Sequence, residues 1–143
     1  MSANLLTGAS TPNPNSVITI HRRVQLCLIT SGAISTLAPV AFIAFGNGGT
    51  DTVGEPIPPS DEADSLTNEI GRYPIGDVVY PLDPGPRITA RYSSTIPEND
   101  LNGAVINEAA LVDADGHICA IKTMYDKRKD AGVTFTFTFD DEF

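Results

Sequence analysis

Hydrophobic and polar positions alternate most cleanly near the end of the chain. Val133, Phe135, Phe137 and Phe139 fall at every second position, with Thr134, Thr136 and Thr138 between them. A period of two sends successive side chains to opposite faces, so residues 133–139 are predicted to form a strand with a buried Phe/Val face and a wet Thr face. Upstream, two apolar runs, residues 104–112 and 117–123, flank Asp113-Ala114-Asp115-Gly116. Asp and Gly accept the backbone angles of a tight reversal, and the pattern predicts a β-hairpin. Hairpin and last strand together predict a small antiparallel sheet near the C-terminus, with the phenylalanines sealed against the hairpin.

The period changes toward the N-terminus. Within residues 17–30, Ile20, Val24, Cys27 and Leu28 share one helical stripe, Thr19 is placed to cap the start and Gly32 lies just past the end. A helix is predicted there, with residues 17–20 open to an extended start. Residues 38–45 read as a strand covered on both faces, because they hardly alternate. The turn Gly46-Asn47-Gly48-Gly49 follows, without the Lys-Ser/Thr of a phosphate loop. Ser60 then reads as the cap of a second short helix, with Asp61, Glu62 and Asp64 in its first turn, Ala63, Leu66 and Ile70 on one face, and Gly71 as its stop. Residues 77–82 and 87–95 read as strands, and residues 125–132 as a charged loop with Lys127, Arg128 and Lys129 at a solvated tip. The predicted class is therefore α+β: a small, mainly antiparallel sheet with two short helices and long Pro/Gly-rich loops.

Composition narrows the functional classes. The 143 residues suit one domain, read as a flexible N-terminal arm over 1–16 and a single domain over 17–143. Eighteen acids against nine bases give a formal charge of −9, which argues against nucleic acid and against an anionic membrane. The longest apolar stretch, residues 37–45, is about half of the roughly twenty residues a membrane helix needs, and no secretory leader is visible. Cys27 and Cys119 both fall in segments predicted as core and read as buried free thiols, in keeping with assembly in a reducing cytoplasm. A zinc site would need those cysteines to converge with His21 and His117, which have no ligand-like spacing of their own; no metal and no cofactor are expected. The acids between residues 51 and 64 lack the spacing of a calcium loop, and no nucleophile elbow occurs. The chain reads as a non-enzyme.

Several ordered blocks carry a resemblance. Phe45-Gly46-Asn47-Gly48-Gly49, Gly54-Glu55-Pro56-Ile57-Pro58-Pro59, Leu66-Thr67-Asn68-Glu69-Ile70-Gly71-Arg72-Tyr73-Pro74-Ile75, the run from Ile106-Asn107-Glu108 to Gly116, and Ala120-Ile121-Lys122-Thr123 resemble the phage tail-collar fibre family. The resemblance spans residues 38–139. It implies the particle-proximal domain of a contractile-phage tail fibre, located in the virion and assembled in the host cytoplasm, with other tail, baseplate and fibre proteins as partners and a homotrimer as the assembly. Family members run on into a shaft, whereas this sequence stops where the shaft would begin, so the expectation is a baseplate or tail-fibre adaptor or collar subunit rather than a receptor reader. The alternative, a host-surface carbohydrate-binding module, is weakened by the absence of Trp. The candidate subunit-contact residues are Asn13 and Asn15 of the arm and Thr134, Thr136 and Thr138 of the last strand.

Overall fold

The computed structural model describes residues 14–82 and 88–143. Among them are eight strands and one helix: β1 (Ser16–Ile18), α1 (Ile20–Thr30), β2 (Val40–Gly46), β3 (Glu69–Pro74), β4 (Asp77–Leu82), β5 (Thr89–Ile96), β6 (Val105–Asp113), β7 (Ile118–Arg128) and β8 (Phe135–Glu142). They form two antiparallel sheets, a five-stranded one in the order β1-β7-β6-β2-β3 and a three-stranded one in the order β4-β5-β8. The fold is therefore β-rich with a single helix, and the α+β expectation with two helices is corrected.

β6 and β7 pair as the predicted hairpin, with Gly116 at φ 90° in the reversal, where an L side chain would be strained. The last strand joins a different sheet from the hairpin and meets it across the core. Phe137 and Phe139 are buried with Ile43, Phe45 and Leu111, and the rings of Phe135 and Phe137 stand edge-on to Phe45 at 6.3 and 5.7 Å. Val133, placed on the same face by its period, is exposed in the loop before β8. The opposite face of the larger sheet has its own apolar cover, in which Ala44, Ala110, Val112 and Ile121 meet Leu66 from the preceding loop. Covered on both sides, β2 and β6 have no reason to alternate, and in the sequence they do not.

The second predicted helix does not form. Ser60 Oγ accepts from Glu62 N at 3.1 Å, a local turn that stops after one step, and the chain straightens into β3. The amides of Thr67 and Asn68, which a helix would have used internally, donate instead to the Glu108 carboxylate. Gly71, read as a helix stop, lies inside β3 opposite Phe45.

Helix α1 begins as its cap predicts, with Thr19 Oγ1 accepting from Arg22 N at 3.2 Å. Its apolar stripe nevertheless points outward. Ile20 and Val24 are 40% and 47% exposed and Cys27 is at the surface, so the expected burial of Cys27 is corrected; Cys119 is buried, and both thiols are free. Polar anchors hold the helix instead. Thr19 is fully buried, its amide donates to Cys119 O at 3.0 Å, and its hydroxyl donates to Ile118 O at 2.8 Å. The expected solvated tip at residues 127–129 is half wrong. β7 runs on to Arg128, and Lys129 is fully buried, its ammonium donating to Glu98 O, Asn102 Oδ1 and Asp130 O at 2.9–3.1 Å. Three oxygens offset the loss of water around one cation.

Candidate functional site

Three polar centres are built where strands and loops meet. The first sits at a bulge in β6. The pairing of β6 with β7 slips between Ile106 and Glu108, and a bulge re-aims the side chains beside it. Asn107 and Glu108 are both buried and turn toward the glycine-rich loop after β2. Glu108 accepts from Gly48 N at 2.9 Å, Asn68 N at 2.9 Å and Thr67 N at 3.0 Å. Asn107 Oδ1 accepts from Gly49 N at 2.7 Å, while its amide donates to Thr50 Oγ1 and Asp126 Oδ1. Glycine is required here for room: a Cβ on Gly49 would strike the Asn107 carbonyl, and one on Gly46 would strike the Glu108 carboxylate. A small cavity of about 180 Å³ beside Glu108 is walled by Ile57, Pro58, Leu66 and Thr123. The carboxylate itself is held by three backbone amides, which makes it a loop clasp.

The second centre is the ion pair of Arg22 and Asp141, 3.1 Å apart and with side chains only 11% and 3% exposed. It fastens α1 to the end of β8, and the Arg22 guanidinium also lies 5.9 Å from the centre of the Phe143 ring. Burial pushes the Asp141 carboxyl above its usual range although Arg22 pulls it down. The neighbouring Asp140, outside the core, is shifted the other way by its hydrogen bond with Arg91. Burial also raises the Cys119 thiol, against the attraction of Arg22, so it is no ready nucleophile.

The third centre gathers His21, Asp113 and His117. Thr19 bolts the first turn of α1 to the start of β7, which carries His21 over His117; the ring centroids are 4.4 Å apart. Asp113 and His117 face each other across the hairpin turn. The histidines thus converge, as a metal site would require, but with a carboxylate as the third member in place of the two cysteines considered from sequence.

The predicted contact residues are dispersed. Asn13 lies outside the described residues, as does the predicted arm up to that point. The Asn15 carbonyl accepts from Thr123 N at 2.8 Å and leads into β1, on the larger sheet. Thr134, Thr136 and Thr138 are exposed on or beside β8, on the smaller sheet; Thr136 Oγ1 lies 3.0 Å from Thr95 Oγ1 and Thr138 is opposite Ser93. At the end of the sandwich an apolar groove of about 480 Å³ runs between Pro39, Val40, Tyr80, Ile88, Tyr92 and Phe143. Among the described residues, no side chain lining it carries a carboxylate, imidazole or amine. Among the described residues no helix is long and apolar enough to cross a membrane. No family model matches the chain, and no curated protein matches it.

Proposed function

We propose that the chain is a structural subunit of a contractile phage tail, a baseplate or tail-fibre adaptor or collar subunit that attaches fibres to the particle and assembles as a homotrimer. The observation that carries this reading is the outer edge of β8. Among the described residues β8 pairs with β5 alone, and from Phe135 to Phe139 it has no charge, proline or glycine. Such an edge offers a row of unpaired amides and carbonyls to any passing strand, and monomeric proteins blunt such edges. β3 and β4 carry Pro74 and Pro81, whereas β8 becomes acidic only at Asp140. An edge left flat suits a subunit that is covered by a neighbour.

Two further features favour the same reading. The outward stripe of α1 adds exposed apolar surface of the kind that marks protein contacts. Three of the buried ionisable groups, Glu108, Asp141 and Lys129, each fasten backbone or helix to sheet. That is construction rather than catalysis. Support for the family reading comes from the Glu108 clasp, because it draws three of the resembling segments, around residues 46–49, 66–71 and 106–108, into one knot. The test is an electron cryomicroscopy map of intact particles, in which density for this chain is expected where the fibres meet the baseplate or collar. Purified particles that lack the chain would overturn the proposal.

A further inference from the structure

The geometry points to a metal site: we propose that His21 Nε2, His117 Nδ1 and Asp113 Oδ2 bind one divalent first-row transition metal of the zinc class, with water at the remaining position. His21 Nε2 lies 3.8 Å from Asp113 Oδ2, and His117 Nδ1 lies 3.8 Å from Asp113 Oδ1. Those separations are ion-pair distances, too long for hydrogen bonds, so neither imidazole is hydrogen-bonded to the carboxylate. All three groups nevertheless sit within 4.8 Å of one another. A metal about 2 Å from each ligand needs donors a little closer than this, which rotation of the two imidazoles supplies.

The surroundings suit the assignment. Asp113 is anchored in the way metal-ligating carboxylates usually are, because Oδ1 accepts from the amides of Asp115 and His117, each at 2.9 Å, and these bonds leave Oδ2 directed at His21. Asp113 is buried, His21 is partly buried and His117 is exposed, so the site has a fixed floor and an open side toward solvent. The two imidazoles are borderline nitrogen donors, and a set of two of them with one carboxylate favours zinc, cobalt, nickel or iron over magnesium and calcium, which prefer all-oxygen sites. The ligands come from α1 and from the β6–β7 turn, so a bound ion would tie the helix to the hairpin beside the Thr19 anchor.

The test uses the untagged full chain after chelator treatment, titrated with Co²⁺ and then with Zn²⁺. The expected result is one Co²⁺ per chain with visible d–d absorption and no thiolate charge-transfer band, displaced by Zn²⁺, and a thermal midpoint raised by Zn²⁺ but not by Mg²⁺. His21→Gln and His117→Gln should each weaken binding by at least about tenfold, while Cys27→Ser leaves it unchanged. Both histidines are at least partly exposed, so the thermal midpoints of the metal-free variants should match the wild type and show that loss of binding is not loss of fold. Absence of Co²⁺ absorption at millimolar metal, binding that survives the double histidine variant, or a signal that disappears with Cys27→Ser would each overturn the assignment.

Discussion

Glu108→Ala is expected to lower the stability of the domain by about 3 kcal/mol, because it withdraws a charged acceptor from three amides at once. Each bond to a carboxylate is worth roughly 1.5–3 kcal/mol, but water reaches Thr67 and Asn68 from outside, so the three losses do not add in full. Glu108→Gln keeps the buried stem and one oxygen while turning an NH₂ group toward backbone donors, and should cost about 2 kcal/mol. Urea denaturation followed by circular dichroism measures both. For a domain of typical stability, about 5–15 kcal/mol, the alanine variant loses a large share of the total. An alanine variant within 0.5 kcal/mol of wild type, a limit of about the size of ordinary surface effects, would show that the clasp is dispensable.

Asp141→Ala should cost a similar amount, about 3 kcal/mol, for a different reason: it strands the Arg22 guanidinium, whose Nη1 is already buried without a hydrogen-bond partner among the described residues. Replacing both members, Arg22→Met with Asp141→Leu, should recover most of that loss, since apolar groups of similar size incur no desolvation cost for charge. The pair also sets a pH dependence. Burial raises the Asp141 carboxyl in the folded chain above its ordinary 3.8, so the folded state holds that proton more tightly than the unfolded state. The corresponding stability is fully present below 3.8 and is lost as pH rises through the folded value. A stability profile from acid to neutral pH should therefore contain a component that declines with rising pH in wild type and is missing in Asp141→Ala. A profile that is the same in both proteins would contradict this picture of the pair.

The parts of the fold that could be read in advance are those governed by neighbours in sequence. The Phe/Thr alternation of β8, the Asp-Gly reversal between β6 and β7 and the Thr19 cap of α1 are local signals, and each is present, although β8 begins two residues later than predicted, at Phe135, and runs on to Glu142. The errors arise where a distant group outcompetes a local one. Residues 60–70 have the cap and acids of a helix, yet Glu108, about 40 residues away, takes the amides of Thr67 and Asn68, and Leu66 packs on the larger sheet instead of lining a helix face. The stripe of α1 is real but faces outward, because Thr19 and Arg22 set the rotation of the helix through partners at Ile118 and Asp141. Lys129 sits in a run of basic residues that normally marks a solvated tip, and two of the three oxygens in its socket come from a loop about thirty residues earlier, where Leu101 holds a positive φ of 51°. The polar centres shared this limit. Asp113 and His117 face each other across a turn that was legible, but only the docking of α1 brings in His21.

The claim that the flat outer edge of β8 is made to be covered by another copy is tested most directly by light scattering on the full chain at micromolar concentration, beside Thr136→Lys/Thr138→Lys. Both threonines are exposed, so the lysines should leave the fold intact while adding charge beside the edge, the device by which natural sheets keep strands apart. Wild type is expected at three times 15.1 kDa and the variant at 15.1 kDa. A wild-type chain that remains at 15.1 kDa, or a variant with the same mass as wild type, would contradict it.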